Sequence, residues 1–166
     1  MSTAEPSEVI TFYSYSGGAG RSTVLANVAC LLARRCPADR GVLMVDWSLA
    51  APSLHRFFQA RFQDWSAAAP PGSQLDEQPG LLDLFMELDS TIGKSGPAAA
   101  PAEVFAQVNP GRFVIPTDIP SLSLLKAGRF DDDYFSAVSG FPWAALHERA
   151  PWVIPSLLDF FGRRYR

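Results

Sequence analysis

The stretch Ser16-Gly17-Gly18-Ala19-Gly20-Arg21-Ser22-Thr23 constrains this 166-residue chain more than any other. Its glycines permit backbone conformations closed to residues with a Cβ. It follows Val9-Ile10-Thr11-Phe12-Tyr13-Ser14-Tyr15, whose β-branched and aromatic residues predict a buried strand. It precedes Ser22 to Arg35, where Val24, Leu25, Val28, Leu31 and Leu32 recur at helical spacing and Arg34 and Arg35 suit the negative end of the dipole. A second hydrophobic strand is expected over Gly41 to Trp47. Strand, loop, helix and strand in this order make a βαβ unit and predict a parallel sheet.

A glycine loop between strand and helix is the context of a phosphate-binding loop. Successive N–H groups curl toward an anion, and the helix N-terminus adds unpaired donors and a positive dipole end. The candidate binding residues are Gly17, Gly18, Ala19, Gly20, Arg21, Ser22 and Thr23. Ser22, in the first helical turn, offers a hydroxyl to Mg²⁺. Asp46 ends the second strand, where ligands of open parallel sheets gather, and is the other metal-side candidate. Against the pattern G-x-x-x-x-G-K-[ST], the chain departs at the first glycine and carries Arg21 in place of lysine.

The loop resembles the deviant form K-G-G-x-G-K-[ST] of the ParA/MinD group of P-loop ATPases, and still more a bacterial subgroup whose loop ends in Gly-Arg. Val42 to Pro52 is similar to that subgroup's second strand and turn, Leu54-His55 to its leucine-histidine pair, and Pro79 to Leu84 and Ala127-Gly128-Arg129 to later pieces. The resemblance implies ATP and Mg²⁺, with Gly17 to Thr23 around the phosphates, Arg21 on them, Ser22 on the metal and Asp46 ordering its water shell. It also implies a dimerisation switch that recruits partners.

The departures are as informative. Ser16 stands where the family has a lysine that reaches a partner subunit's nucleotide, and Ser48 and Ala50 replace a subgroup aspartate and glutamate. The strand expected to carry a second metal-side aspartate does not follow the last helix before Arg166. The expected fold is therefore α/β and P-loop NTPase-like. A mostly parallel sheet is flanked by helices and incomplete at the C-terminal side. It forms one domain over residues 9–166 behind a flexible 1–8. The expected function is an ATP-binding switch or partner-recruiting module with weak or lost hydrolysis, since contributors to transition-state charge neutralisation are missing. The alternative is a degenerate P-loop domain that binds no nucleotide and serves protein interaction. Catalytic residues are unassigned. A homodimer or a larger protein partner would complete the fold.

Composition excludes several classes. With 48% hydrophobic and 19% charged residues the chain is not disordered as a whole. A net charge of −3 gives no global grip on nucleic acid. No apolar run reaches the roughly 18 residues a membrane helix needs. Met1 to Glu8 is polar and acidic, unlike a signal peptide, so a cytoplasmic location is expected. Cys30 and Cys36 fall on different helix faces; neither a disulfide nor a metal pair is expected, and Cys30 reads as a small buried apolar residue.

Elsewhere, helices are expected over Pro52 to Phe62, Gly80 to Leu88 and Asp131 to Ser139, and as two short pieces over Pro142 to Arg164 broken near Pro151 and Pro155. Short strands are expected over Arg112 to Pro116 and Leu122 to Lys126, and loops over Ser66 to Pro79 and Gly93 to Pro101. His55 reads as a packed structural histidine, His147 as a surface residue, and Asp131 to Asp133 as a helix start, not a metal cluster. Trp143, Trp152, Phe160, Phe161 and Tyr165 read as core. Lys126 and Arg129 are placed where they could face the ligand edge.

Overall fold

A computed structural model describes residues 7–37, 40–62, 75–96 and 99–165. Its helices are α1 (Arg21–Ala33), α2 (Leu81–Ser95), α3 (Pro101–Val108), α4 (Tyr134–Gly140), α5 (Trp143–Arg149) and α6 (Val153–Gly162). Tighter 3₁₀ turns run over Leu54–Phe62, Leu75–Glu77 and Pro110–Phe113. Three strands, β1 (Val42–Val45), β2 (Ile115–Pro116) and β3 (Leu122–Leu125), form a sheet in the order β1-β3-β2.

Strand alternation sorts the core onto the two faces of this sheet. Val42 and Met44 of β1 and Leu122 and Leu124 of β3 pack with Ala26, Ala29 and Ala33 of α1 and with Leu54 and Phe58. Leu43, Val45 and Leu125 meet the other cluster, built from α2, α3 and the C-terminal helices around Leu84, Phe85, Leu88 and Val104. Trp143, Trp152, Phe160 and Phe161 pack against that second cluster as partly buried residues. The α1 side uses alanines because a small residue lets helix and strand backbones approach closely.

The N-terminus of α2 fixes the far end of β3. Leu81 and Leu82 N–H donate to the carbonyls of Lys126 and Ala127 at 2.8 and 2.9 Å. Asp83 Oδ2 accepts from the N–H groups of Gly80 and Arg129, both at 2.8 Å. Orphan donors of a helix start are thus satisfied by backbone and by one carboxylate.

The structure corrects several expectations. Val9–Tyr15 is not a buried strand: it pairs with nothing among the described residues, and Tyr15 is 98% exposed. Its rings contact each other instead, Tyr13 against Tyr15 at 5.2 Å. High β propensity expresses fit to a pleated neighbour, and this segment pairs with no strand among the described residues. The sheet is mixed rather than mostly parallel. β1 and β3 run parallel, but β2 runs antiparallel to β3 because only a short turn joins them. Thr117 Oγ1 closes that turn on the carbonyl of Leu122 at 3.0 Å.

Helix α2 runs through Gly93 to Ser95, past the expected loop boundary, and α3 was not expected at all. Pro101 starts α3 from its first turn, where a missing N–H costs nothing. The expected strand over Arg112 to Pro116 is shorter, Ile115–Pro116, because Arg112 and Phe113 belong to the 3₁₀ turn Pro110–Phe113. Pro155 does not break α6, since it lies in the first turn, whereas Pro151 does separate α5 from α6. Cys30 is half-buried, not buried. Residues 1–6 of the expected flexible terminus, and 66–74 and 97–98 of the expected loops, lie outside the described residues.

Candidate functional site

Two glycines shape the loop. Gly18 and Gly20 sit at φ 78° and 76°, the left-handed region that other residues enter at a cost, and Gly20 is the N-cap of α1. The first intrahelical bond is Val24 N–H to Gly20 O at 2.9 Å. The N–H groups of Arg21, Ser22 and Thr23 therefore lie ahead of it without helical acceptors. Residues 16–23 line an open cleft of about 540 Å³ together with Ser14, Ala51, Ser53, Arg56 and Phe57. Among the described residues its wall holds two guanidinium groups, Arg21 and Arg56, and no carboxylate.

Asp46 is buried, 4% exposed, and bonds the turn that carries Ser53 of the cleft wall. Its Oδ1 accepts from Ser48 N–H at 3.1 Å, and its Oδ2 accepts from Ser53 N–H at 3.1 Å and Leu54 N–H at 2.9 Å. A charged acceptor makes strong bonds, so the turn from β1 into the Leu54–Phe62 segment is folded around this one carboxylate. The turn reaches the loop through two contacts. Arg21 donates to Ser48 Oγ at 3.1 Å, and Ser22 and Ser53 share a hydroxyl–hydroxyl bond of 2.9 Å. The structure thus gathers Arg21, Ser22 and Asp46 in one network, with Ser48 and Ser53 as the links. Thr23 lines the cleft from α1, where its carbonyl accepts from Asn27.

Sequence reasoning passed over Ser53, Arg56 and Phe57. Their signal was the spacing from Asp46, because a strand-end carboxylate followed by a 3₁₀ turn carries its own next residues back toward the loop. It also placed Lys126 at a ligand edge, and the structure instead buries it completely. Lys126 Nζ donates to the carbonyls of Asp76 and Gly128 and stands 4.2 Å from the Phe130 ring centre. His55 packs on the other side of this region, 4.6 Å from Phe130, with its buried Nδ1 unpartnered. Arg129 and His147 are exposed, and Asp131 to Asp133 form an exposed start to α4.

This buried cluster sets a pH dependence. Desolvation lowers Lys126 from 10.5 to about 8, with Arg129 adding and Asp83, Asp76 and Asp131 opposing. The fold disfavours the charged lysine, so its penalty is complete below pH 8 and is relieved as pH rises toward 10.5. Tyr134, whose hydroxyl donates to Leu49 O, is raised by burial from 10.0 to about 12, so its contribution is lost above pH 10. Burial also pushes His55 below 6.5, so stability falls as pH drops through that value. Urea unfolding should therefore show stability rising by about 2 kcal/mol between pH 8 and 10. A flat profile across that interval contradicts the buried lysine.

No protein-family model, curated protein or solved structure matches the chain. The class that fold and site define is an α/β domain with a glycine-loop cleft at a helix N-terminus. No helix among the described residues is long and apolar enough to cross a membrane.

Proposed function

We propose that this chain is a nucleotide-binding P-loop protein of ParA/MinD type, acting as a switch or partner-recruiting module with weak or lost hydrolysis. The observation that carries the reading is the cleft. A glycine loop with two positive-φ positions opens onto helix N–H groups without helical acceptors, beside two guanidiniums and, among the described residues, no carboxylate. That arrangement favours a phosphate chain over a neutral ligand. In this reading Gly17 to Thr23 surround the phosphates of ATP and Arg21 bonds them.

Mg²⁺ fits the residues in part. Ser22 holds its hydroxyl at the cleft and can exchange Ser53 for a metal. Both oxygens of Asp46 are engaged by backbone donors, so its role is to fix the Ser53 turn and, at most, order metal-bound water. Mg²⁺ would supply charge neutralisation on the phosphates.

Titration with a fluorescent ATP analogue, with and without Mg²⁺, tests the reading. Saturable binding is expected, and Arg21→Ala should weaken it about tenfold, the loss of one charge-assisted contact. Absence of saturation at millimolar ligand removes the proposal. It then favours the second reading, an interaction module without nucleotide. The exposed apolar residues Val24 and Leu31 of α1, and Ile154 and Leu158 of α6, support that reading.

A further inference from the structure

We infer that Arg56 is a second phosphate-binding cation, one that reads the length of the phosphate chain. The inference rests on the nucleotide-binding reading above and deepens it. Arg56 is exposed, lines the same cleft as Arg21, and makes no ion pair or side-chain hydrogen bond in the described residues. The other arginines seen to bond side chains elsewhere do so to carboxylates: Arg112 to Glu87, Arg149 to Asp89 and Arg163 to Asp159. The two arginines at the cleft have no carboxylate partner among the described residues.

Position is fixed by the turn and not by the side chain itself. Arg56 N–H bonds Ser53 O at 3.1 Å, Ser53 is tied to Asp46, and Ser53 Oγ meets Ser22. Arg56 is therefore carried on a segment braced against α1 and lines the same cleft as the glycine loop. A single phosphate can be satisfied by the loop N–H groups and Arg21. A di- or triphosphate brings further charge that the loop cannot meet, and among the described residues the second cation on the cleft wall is Arg56. Arginine suits this task because its planar fork takes two phosphate oxygens at once. The ligand chemistry it selects is a polyphosphate tail, whether that of a nucleotide or free.

The test compares ATP, AMP and inorganic tripolyphosphate by calorimetry on wild type, Arg56→Ala and Arg56→Lys. Wild type should bind ATP at least tenfold tighter than AMP. Arg56→Ala should lose about tenfold for ATP with AMP changed less than twofold, and Arg56→Lys should recover part of the loss. Tripolyphosphate following the ATP pattern assigns the effect to the phosphate chain; insensitivity of tripolyphosphate to Arg56→Ala overturns that assignment. If wild type binds ATP and Arg56→Ala binds it equally well, the role of Arg56 is wrong while nucleotide binding stands. If wild type binds none of the three, both fall. Circular dichroism of each variant guards against a folding artefact, which the exposure of Arg56 makes easy to exclude.

Discussion

Gly80→Ala should cost on the order of 4 kcal/mol and leave little folded protein. A Cβ at position 80 would collide with the carbonyl oxygen of Lys126 and lie 2.6 and 2.8 Å from the backbone N and Cα of Gly128. These are backbone atoms, so no rotamer relieves the clash. They are also held in place, because Lys126 O and Ala127 O accept the first N–H groups of α2. Relief would require α2 to lift off β3, opening the larger core cluster around Leu81, Leu84 and Phe85. Gly93→Ala is the matched control. Gly93 lies on an exposed face of the same helix with nothing within 4 Å, so alanine should stabilise by about 0.5–1 kcal/mol. Denaturant midpoints of the two variants should move in opposite directions. Equal shifts would mean that the α2–β3 junction is not as tight as described.

Asp46→Ala is expected to be nearly as damaging, at about 3–5 kcal/mol. The substitution removes one carboxylate but orphans three backbone donors, those of Ser48, Ser53 and Leu54. Each lies in the turn that links β1 to the 3₁₀ segment, and Leu54 is itself core. Asp46→Asn should recover part of the loss, since its carbonyl can accept but its amide group faces donors. A loss below about 1 kcal/mol for Asp46→Ala would show that water replaces the carboxylate and that the turn does not depend on it. The same variant should uncouple Ser53 from Ser22, so any ligand affinity should fall along with stability.

Of the expected βαβ unit, α1 and the strand after it were legible but the strand before it was not, and the legible strands have a physical reason. Val42 to Val45 is apolar on both faces and Leu122 to Leu125 is apolar but for Ser123, as strands covered on both sides tend to be, and the structure pairs them in parallel. The same logic failed for Val9 to Tyr15. Composition states what a strand would like beside it, and cannot state whether a neighbour exists. Helix α3 was hidden because Pro101 to Val108 is only eight residues long and follows a proline-rich stretch. At the site, Arg21, Ser22 and Asp46 were legible as a motif, and the structure joins them through two serines. Arg56 was not, because a lone arginine on an amphipathic turn looks like any solvated charge. Lys126 was misread because a lysine after a strand is ordinarily exposed. Its burial depends on the carbonyls of Asp76 and Gly128, 50 and two positions away.

The unpaired arm before the glycine loop has a consequence for how the loop works. On one side the loop continues into α1, which is anchored on the sheet by Ala26, Ala29 and Ala33. On the other it continues into residues 9–15, which are fixed by no ladder among the described residues. The cradle is therefore braced at one end only, like a hook held by its shank. An anion entering it must organise the open end by its own contacts, and part of its intrinsic binding energy goes into that ordering. Anything that pinned Val9 to Tyr15 into a sheet would remove this cost in advance and tighten the grip without touching a single ligand-binding residue.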